Sequence, residues 1–177
     1  MNIHSLHHYL TNLSESEEHY RSGYPFSGWS QLPKVQIHGR EMYRMFPDNL
    51  IFSSMHGENP VSSQNFDIPV GLQDISIKRN SRFNPVPEHV HSHIEINYVY
   101  SGTCPQYIDG KPVLLKKDQV LLIDTDCPHS IDALGENDIM ISMLIRKEFL
   151  RDRMFSQFSK DSVLSRFFVN ALTEQTD

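Results

Sequence analysis

The sequence predicts a mainly β domain, a sandwich or small barrel, with helices at both ends. Three observations predict it. From Gly71 to Arg146, short alternating stretches are separated by turn signals, with no helical segment between them. Before Gly23 and after Lys147, the apolar residues recur at helical spacing instead. A chain of 177 residues, 38% hydrophobic and 21% charged, is large and apolar enough to bury one core without staples.

The elements follow in chain order. Residues 3–22 read as helical, because Leu6, Leu10 and Leu13 share a stripe and Ser14 with Glu17 has the form of a capping box for a second turn. Gly23, Pro25 and Gly28 end the pattern. Residues 29–70 are rich in Pro, Ser and Asn, with one short strand expected at Leu50–Ser53. The stretch 1–70 is therefore expected to be an N-terminal helix and an arm wrapped on a barrel formed by 71–146.

Within 71–146, Ile75 and Ile77 alternate with polar neighbours, as do Ile94, Ile96, Tyr98 and Tyr100. Asp109-Gly110 is a strong hairpin signal between Gln106–Ile108 and Val113–Leu115. Val120–Ile123 and Ile139–Ile145 read as further strands.

From 147 to 177 the period is helical again. Leu150, Met154 and Phe158 form one stripe, and Asp161 is placed to cap a second helix. The second stripe, Val163, Leu164, Phe167, Phe168, Ala171 and Leu172, is too apolar to leave in water. It packs back on the barrel or meets a second copy; a two-fold homodimer is the expected form of the latter.

Composition excludes several functions. A net charge of −6 with no basic stripe makes this piece a poor ligand for DNA. No apolar run has the length of a membrane span, and the start, MNIHSLHHYL, lacks a basic segment followed by an apolar one, so a cytoplasmic protein is expected. Cys104 and Cys127 are too few and too poorly spaced for a disulfide framework or a cysteine zinc site. Phosphate loops, dinucleotide fingerprints and hydrolase elbows are absent from the sequence. His4, His7 and His8 share one helical face and read as a solvated patch; Trp29 and Tyr107 read as core or as stacking surfaces for a sugar.

The chemistry concentrates in His89-Val90-His91-Ser92-His93-Ile94-Glu95. On one strand, residues 89, 91, 93 and 95 would share a face. Imidazoles with a carboxylate suit zinc, nickel, iron or manganese rather than calcium. His129 is the candidate fourth ligand from a neighbouring strand. The alternative is an amphipathic strand with these groups in water and Ile94, Ile96, Tyr98 and Tyr100 on the core face.

This segment resembles the first cupin motif: His89-x-His91, three residues, Glu95, six residues, Gly102. The register leaves His93 as an extra histidine. KPVLLKKDQVLLIDTDCPHSI resembles the second motif as it occurs in AraC-type regulators, through Pro128-His129. Phe83, Asp118 and Asp126 stand where the family prefers glycine, and Gln119 where it prefers Asp. Asp118 tolerates the left-handed backbone that glycine serves.

The resemblance implies a cupin-type double-stranded β-helix, or jelly-roll barrel, followed by dimerisation helices. It implies a small, sugar-like effector bound by His89, His91, Glu95 and His129, with or without a divalent transition metal on those residues. It implies a homodimer through Val163, Leu164, Phe167, Phe168 and Leu172. DNA would be bound only by a C-terminal domain absent from this chain, which stops at Gln175-Thr176-Asp177 as an excised sensor would. Such a module is not an enzyme. The alternative is a small metal-dependent cupin isomerase or dioxygenase using the same four residues.

Overall fold

Turn geometry sets the architecture. In this computed structural model, which describes residues 3–45, 74–154 and 163, the strands are β1 Lys34–Ile37, β2 Arg40–Arg44, β3 Ile75–Arg79, β4 Val86–Val90, β5 His93–Ser101, β6 Thr103–Ile108, β7 Lys111–Lys116, β8 Val120–Ile123, β9 His129–Ile131 and β10 Ile139–Arg146. They form one sheet in the order β1-β2-β4-β9-β6-β7 and a second in the order β3-β10-β5-β8. From β3 onward the chain passes between the two sheets at each connection except the β6–β7 hairpin. That is a jelly roll. The fold is thus mainly β and cupin-type, as expected.

Local sequence explains the turns. Asp109 and Gly110 both take positive φ, 47° and 75°, which a two-residue hairpin needs to match the twist of its strands. Phe83, Asp118 and Asp126 also sit at φ of 62°, 65° and 55°. The three positions where the family prefers glycine therefore keep the backbone that glycine would serve, at some cost in strain for Phe83. Gly102 could not be replaced so easily. Its φ is +70°, and a Cβ there would lie 2.0 Å from an Asp138 carboxylate oxygen.

The first core lies between the sheets and gathers Val99, Cys104, Leu115, Ile131, Leu134 and Met140. A second lies on the outer face of the four-stranded sheet. There Ile94, Ile145 and Leu150 are buried with Ile96, Leu122, Met143 and Phe149 around them. Leu150 belongs to the helical stretch that follows β10, Lys147–Phe149 and then Leu150–Met154. Burying that one side chain is worth about 2 kcal/mol. β5 is therefore covered on both faces, so its alternation separates two cores rather than core from solvent.

Two regions differ from the sequence expectation. Residues 3–22 form two helices, α1 Ile3–Thr11 and α2 Glu15–Arg21. The Ser14 hydroxyl accepts the Glu17 N–H at 3.2 Å, and the Glu17 carboxylate accepts the Ser14 N–H at 2.8 Å, so α2 starts with a complete capping box. Residues 34–44 form the β1–β2 hairpin, which adds to the six-stranded sheet by parallel pairing of Tyr43 with His89. A strand signal is weak there because β1 and β2 have intermediate or exposed residues at most positions.

The expected strand at Leu50–Ser53 lies outside the described residues, as do Leu164, Phe167, Phe168, Ala171 and Leu172. Val163 is described and is 83% exposed. Among the described residues no helix is long and apolar enough to cross a membrane.

Candidate cation and ligand site

His89, His91, Glu95 and His129 come together inside the barrel, but not as neighbours on one strand. β4 ends at Val90 and β5 begins at His93, in the other sheet. His89 therefore projects from the six-stranded sheet, His91 from the connection, and Glu95 from the four-stranded sheet. His129 opens β9 and pairs directly with His89. The expectation of a single shared strand face is corrected: a turn between the sheets, not alternation, makes the cluster converge.

All four residues are buried, each at 3% exposure or less. One ligand atom from each lies within 4.8 Å of the others. His93, the extra histidine, stands apart, its ring edge-on to that of His91 at 6.5 Å. A small polar cleft lined by Ser92, His93, Thr125, Asp126 and Arg146 opens beside it.

The hydrogen bonds fix which nitrogen faces the centre. Nδ1 of His89 meets the Pro87 carbonyl at 2.9 Å, Nδ1 of His91 the His93 carbonyl at 3.0 Å, and Nδ1 of His129 the Cys127 carbonyl at 2.8 Å. A carbonyl oxygen only accepts, so all three Nδ1 atoms carry hydrogen. In the neutral rings the Nε2 lone pairs are then available to the interior, the arrangement found around metal-bound histidines.

Nε2 of His91 lies 2.8 Å and Nε2 of His129 3.4 Å from one carboxylate oxygen of Glu95. With neutral rings, lone pairs would face lone pairs at those distances. The cluster is stable only with positive charge among these atoms, as protons or as a metal ion. The buried Nε2 of His129 makes no hydrogen bond.

Electrostatics agree. Burial holds the pKa of His89 well below its ordinary value, with the His129 and His91 charges adding to the effect. It stays neutral, as a metal ligand must. Burial alone would raise the pKa of Glu95, but His129 and His91 against its carboxylate outweigh this and hold it well below the ordinary value. Three imidazole nitrogens and one carboxylate oxygen suit zinc, nickel, iron or manganese.

The remaining candidates are separate from this site. Trp29 is half-buried between Phe26 and Tyr43, at centroid distances of 5.2 and 6.2 Å. Tyr107 is 40% exposed on β6. His7 bonds the Tyr100 hydroxyl at 2.7 Å on the surface.

Sequence reasoning missed a buried polar chain beyond Glu95. Asn80 Nδ2 donates to Ser142 Oγ and Ser142 Oγ to Asn97 Oδ1, each at 2.5 Å; Asn97 Nδ2 donates to Gln106 Oε1 at 3.3 Å. The available signal was Ser142, a lone hydroxyl within the apolar run Ile139–Ile145.

Residues 77–157 match the family model of the AraC-like ligand binding domain, a stretch that includes all four clustered residues. No curated protein matches the chain. Several solved structures are similar over part of it. An RmlC-like cupin from Shewanella frigidimarina is 16% identical over 41% of this chain and 66% of its own, with a TM-score of 0.36. An HTH_3 family transcriptional regulator from Vibrio cholerae is 17% identical over 41% of this chain and 43% of its own, with a TM-score of 0.36. The DMSP lyase DddQ from Ruegeria pomeroyi is 15% identical over 44% of this chain and 41% of its own, with a TM-score of 0.36.

Proposed function

We propose that this chain is the effector-sensing and dimerisation domain of an AraC-type transcription regulator of the cytoplasm, and that it binds a small, sugar-sized molecule in the barrel. The observation that carries this reading is the position of the family match, whose span contains His89, His91, Glu95 and His129. DNA contact would belong to a C-terminal domain outside this chain.

The four residues would hold one divalent transition metal. When bound, such an ion acts as a Lewis acid toward a ligand oxygen. The protein's own part is to keep the His89 imidazole neutral, fix the tautomer of the three rings through backbone carbonyls, and exclude water. A sensor needs only this: a fixed point to which one end of the effector is tied. Nothing in that role requires turnover.

The same four-donor set supports a second reading, a small metal-dependent cupin isomerase or dioxygenase. The two readings part on a simple experiment. The chain, purified without an affinity tag, is analysed for metal beside the His91→Ala variant, and the loaded chain is mixed with a panel of sugars and sugar acids. One equivalent of metal that is lost in the variant, with a panel member that raises the melting temperature and is recovered unchanged, is the expected result. Catalytic consumption of a panel member would establish the enzyme instead. A chain without metal in either form would remove the cation from the proposal.

A further inference from the structure

We infer that the polar cleft at the start of the helical stretch binds a small neutral polyol through Thr125, Asp126, Arg146 and Glu148, and that its occupant ties the barrel to that stretch. The inference rests on the proposed ligand-binding role of the barrel; it names where the ligand sits and what chemistry holds it.

Three separate parts of the chain build the cleft. Ser92 and His93 come from the turn between β4 and β5, and Thr125 and Asp126 from the loop between β8 and β9. Arg146 and Glu148 come from the point where β10 passes into the helical stretch, and Arg146 pairs with His93. Asp126 holds the left-handed backbone of its turn, φ 55°, and its N–H donates to the His91 carbonyl at 2.8 Å. His91 in turn donates from Nδ1 to the His93 carbonyl at 3.0 Å. Two walls of the cleft therefore meet at His91, a member of the buried cluster.

The position beside the cluster is set by β5. His93, Glu95 and Asn97 follow one another along it in steps of about 7 Å. On the Asn97 side the interior is filled by the bonded row of Asn80, Ser142, Asn97 and Gln106. The cleft lies at the other side, at the His93 end, where Ser92 and Glu148 are exposed.

The lining selects the ligand. The cleft encloses about 310 Å³, at the lower end of the range for ligand sites, about 300–1,000 Å³. Among the described residues no hydrocarbon side chain lines it, so an aromatic or lipid-like molecule would bury no apolar surface there. Arg146 and Lys147 bring two positive charges, and Asp126 and Glu148 two negative ones, so an ion of either sign meets repulsion as well as attraction. Arg44 holds the Asp126 carboxylate at 3.0 Å. Ion pairing does not exhaust these groups: a carboxylate offers about four lone-pair sites and a guanidinium five N–H bonds. A hydroxyl donates and accepts at once, so neighbouring hydroxyls can donate to Asp126 or Glu148 while accepting from Arg146 or Thr125. A neutral polyol does this at successive carbons and carries no charge of its own to compensate. Bonded to the β8–β9 loop on one side and to Arg146 and Glu148 on the other, it joins the barrel to residues 147–154.

Calorimetric titration of the full chain without added metal tests this, with glycerol, xylitol and glucose set beside the charged relatives gluconate and glucosamine. At least one neutral polyol should bind, and more tightly than either charged relative. Arg146→Met and Glu148→Gln should each weaken that binding about tenfold, the size of one hydrogen bond to a charged group. Glu148 is exposed, so its variant keeps the fold and supplies a second readout should Arg146→Met fold poorly. Backbone amides of residues 147–154 should exchange more slowly with the polyol present, and Arg146→Met should remove most of that protection. If a charged relative is preferred, if neither substitution weakens binding, or if exchange in 147–154 is unchanged, the inference is overturned. Polyol binding indifferent to both substitutions would place the ligand elsewhere in the barrel and leave the ligand-binding reading standing. No binding by any of these compounds, nor by the sugars and sugar acids tested above, would count against that reading as well.

Discussion

Glu17 and Arg82 are joined three ways: one carboxylate oxygen of Glu17 accepts the backbone N–H and the Nε of Arg82, each at 3.0 Å, and the other oxygen accepts its Nη2 at 3.0 Å. The Glu17 side chain is fully buried. Arg79 adds a further bond at 2.8 Å and also holds the carbonyls of Tyr9, Leu10 and Asn12 at the end of α1. The helices before Gly23 are thus tied to the barrel by ionic and backbone contacts.

Glu17→Gln should therefore cost about 3 kcal/mol of stability, because it leaves the buried Arg82 guanidinium and the partly buried Arg79 guanidinium without their counter-charge. Urea denaturation at neutral pH measures this. The pH dependence has a definite sign. Burial works to raise the pKa of Glu17, but the Arg82 and Ser14 hydrogen bonds and the Arg79 charge outweigh it, and the pKa is lowered from 4.5. A depressed carboxyl stabilises the fold above its unfolded pKa, and that contribution disappears as pH falls through the folded value. The stability of the natural chain should fall below about pH 4.5, and that of Glu17→Gln should fall less steeply. Equal slopes would mean that another carboxylate governs acid unfolding.

Cys104 should be unreactive in the native protein. Burial pushes its thiol up to about 12, so almost none is thiolate at about pH 8, and the thiolate is the reactive form. A thiol reagent should leave Cys104 unmodified until denaturant is added, as peptide mapping would show. Rapid native labelling would mean that the barrel core opens readily.

Dimerisation is expected to depend on the chain beyond Ser159. Sedimentation of the full chain should give twice the monomer mass, and a chain ending at Ser159 should sediment as a monomer. A dimer that persists in the shorter chain would place the interface on the barrel, and Val163, Leu164, Phe167, Phe168 and Leu172 would then lose that role.

This chain alone should show no sequence preference for DNA. Its net charge of −6 opposes the phosphate contacts that supply most non-specific affinity. A mobility shift at low salt that favours one duplex over another would place DNA recognition within these 177 residues.

The sequence was most legible where turn chemistry and alternation coincide. Asp109-Gly110 located the β6–β7 hairpin, and Val120–Ile123 and Ile139–Arg146 are strands almost to the residue. The four clustered residues were found through a spacing that the family shares, although the strand geometry first offered for them does not hold. Alternation cannot distinguish one strand from two strands meeting at a turn: His91 and Ser92 carry no glycine or proline to mark the break. The β1–β2 hairpin was missed for a different reason. Lys34, Gln36 and Glu41 are exposed, so the apolar pattern that signals a strand is thin there. The row of Asn80, Ser142, Asn97 and Gln106 was missed because polar residues inside a barrel look, in sequence, like the solvent face of a strand.

Because His89 and Glu95 belong to opposite sheets, a cation held between them would act as a rivet across the barrel interior. Its loss would loosen the joint between two layers rather than empty a pocket in one. His91, the middle member, is anchored to the His93 carbonyl, and His93 pairs with Arg146, the last strand residue before the helical stretch begins at Lys147. The rivet and the exit from the barrel are thus separated by one hydrogen bond and one strand pair.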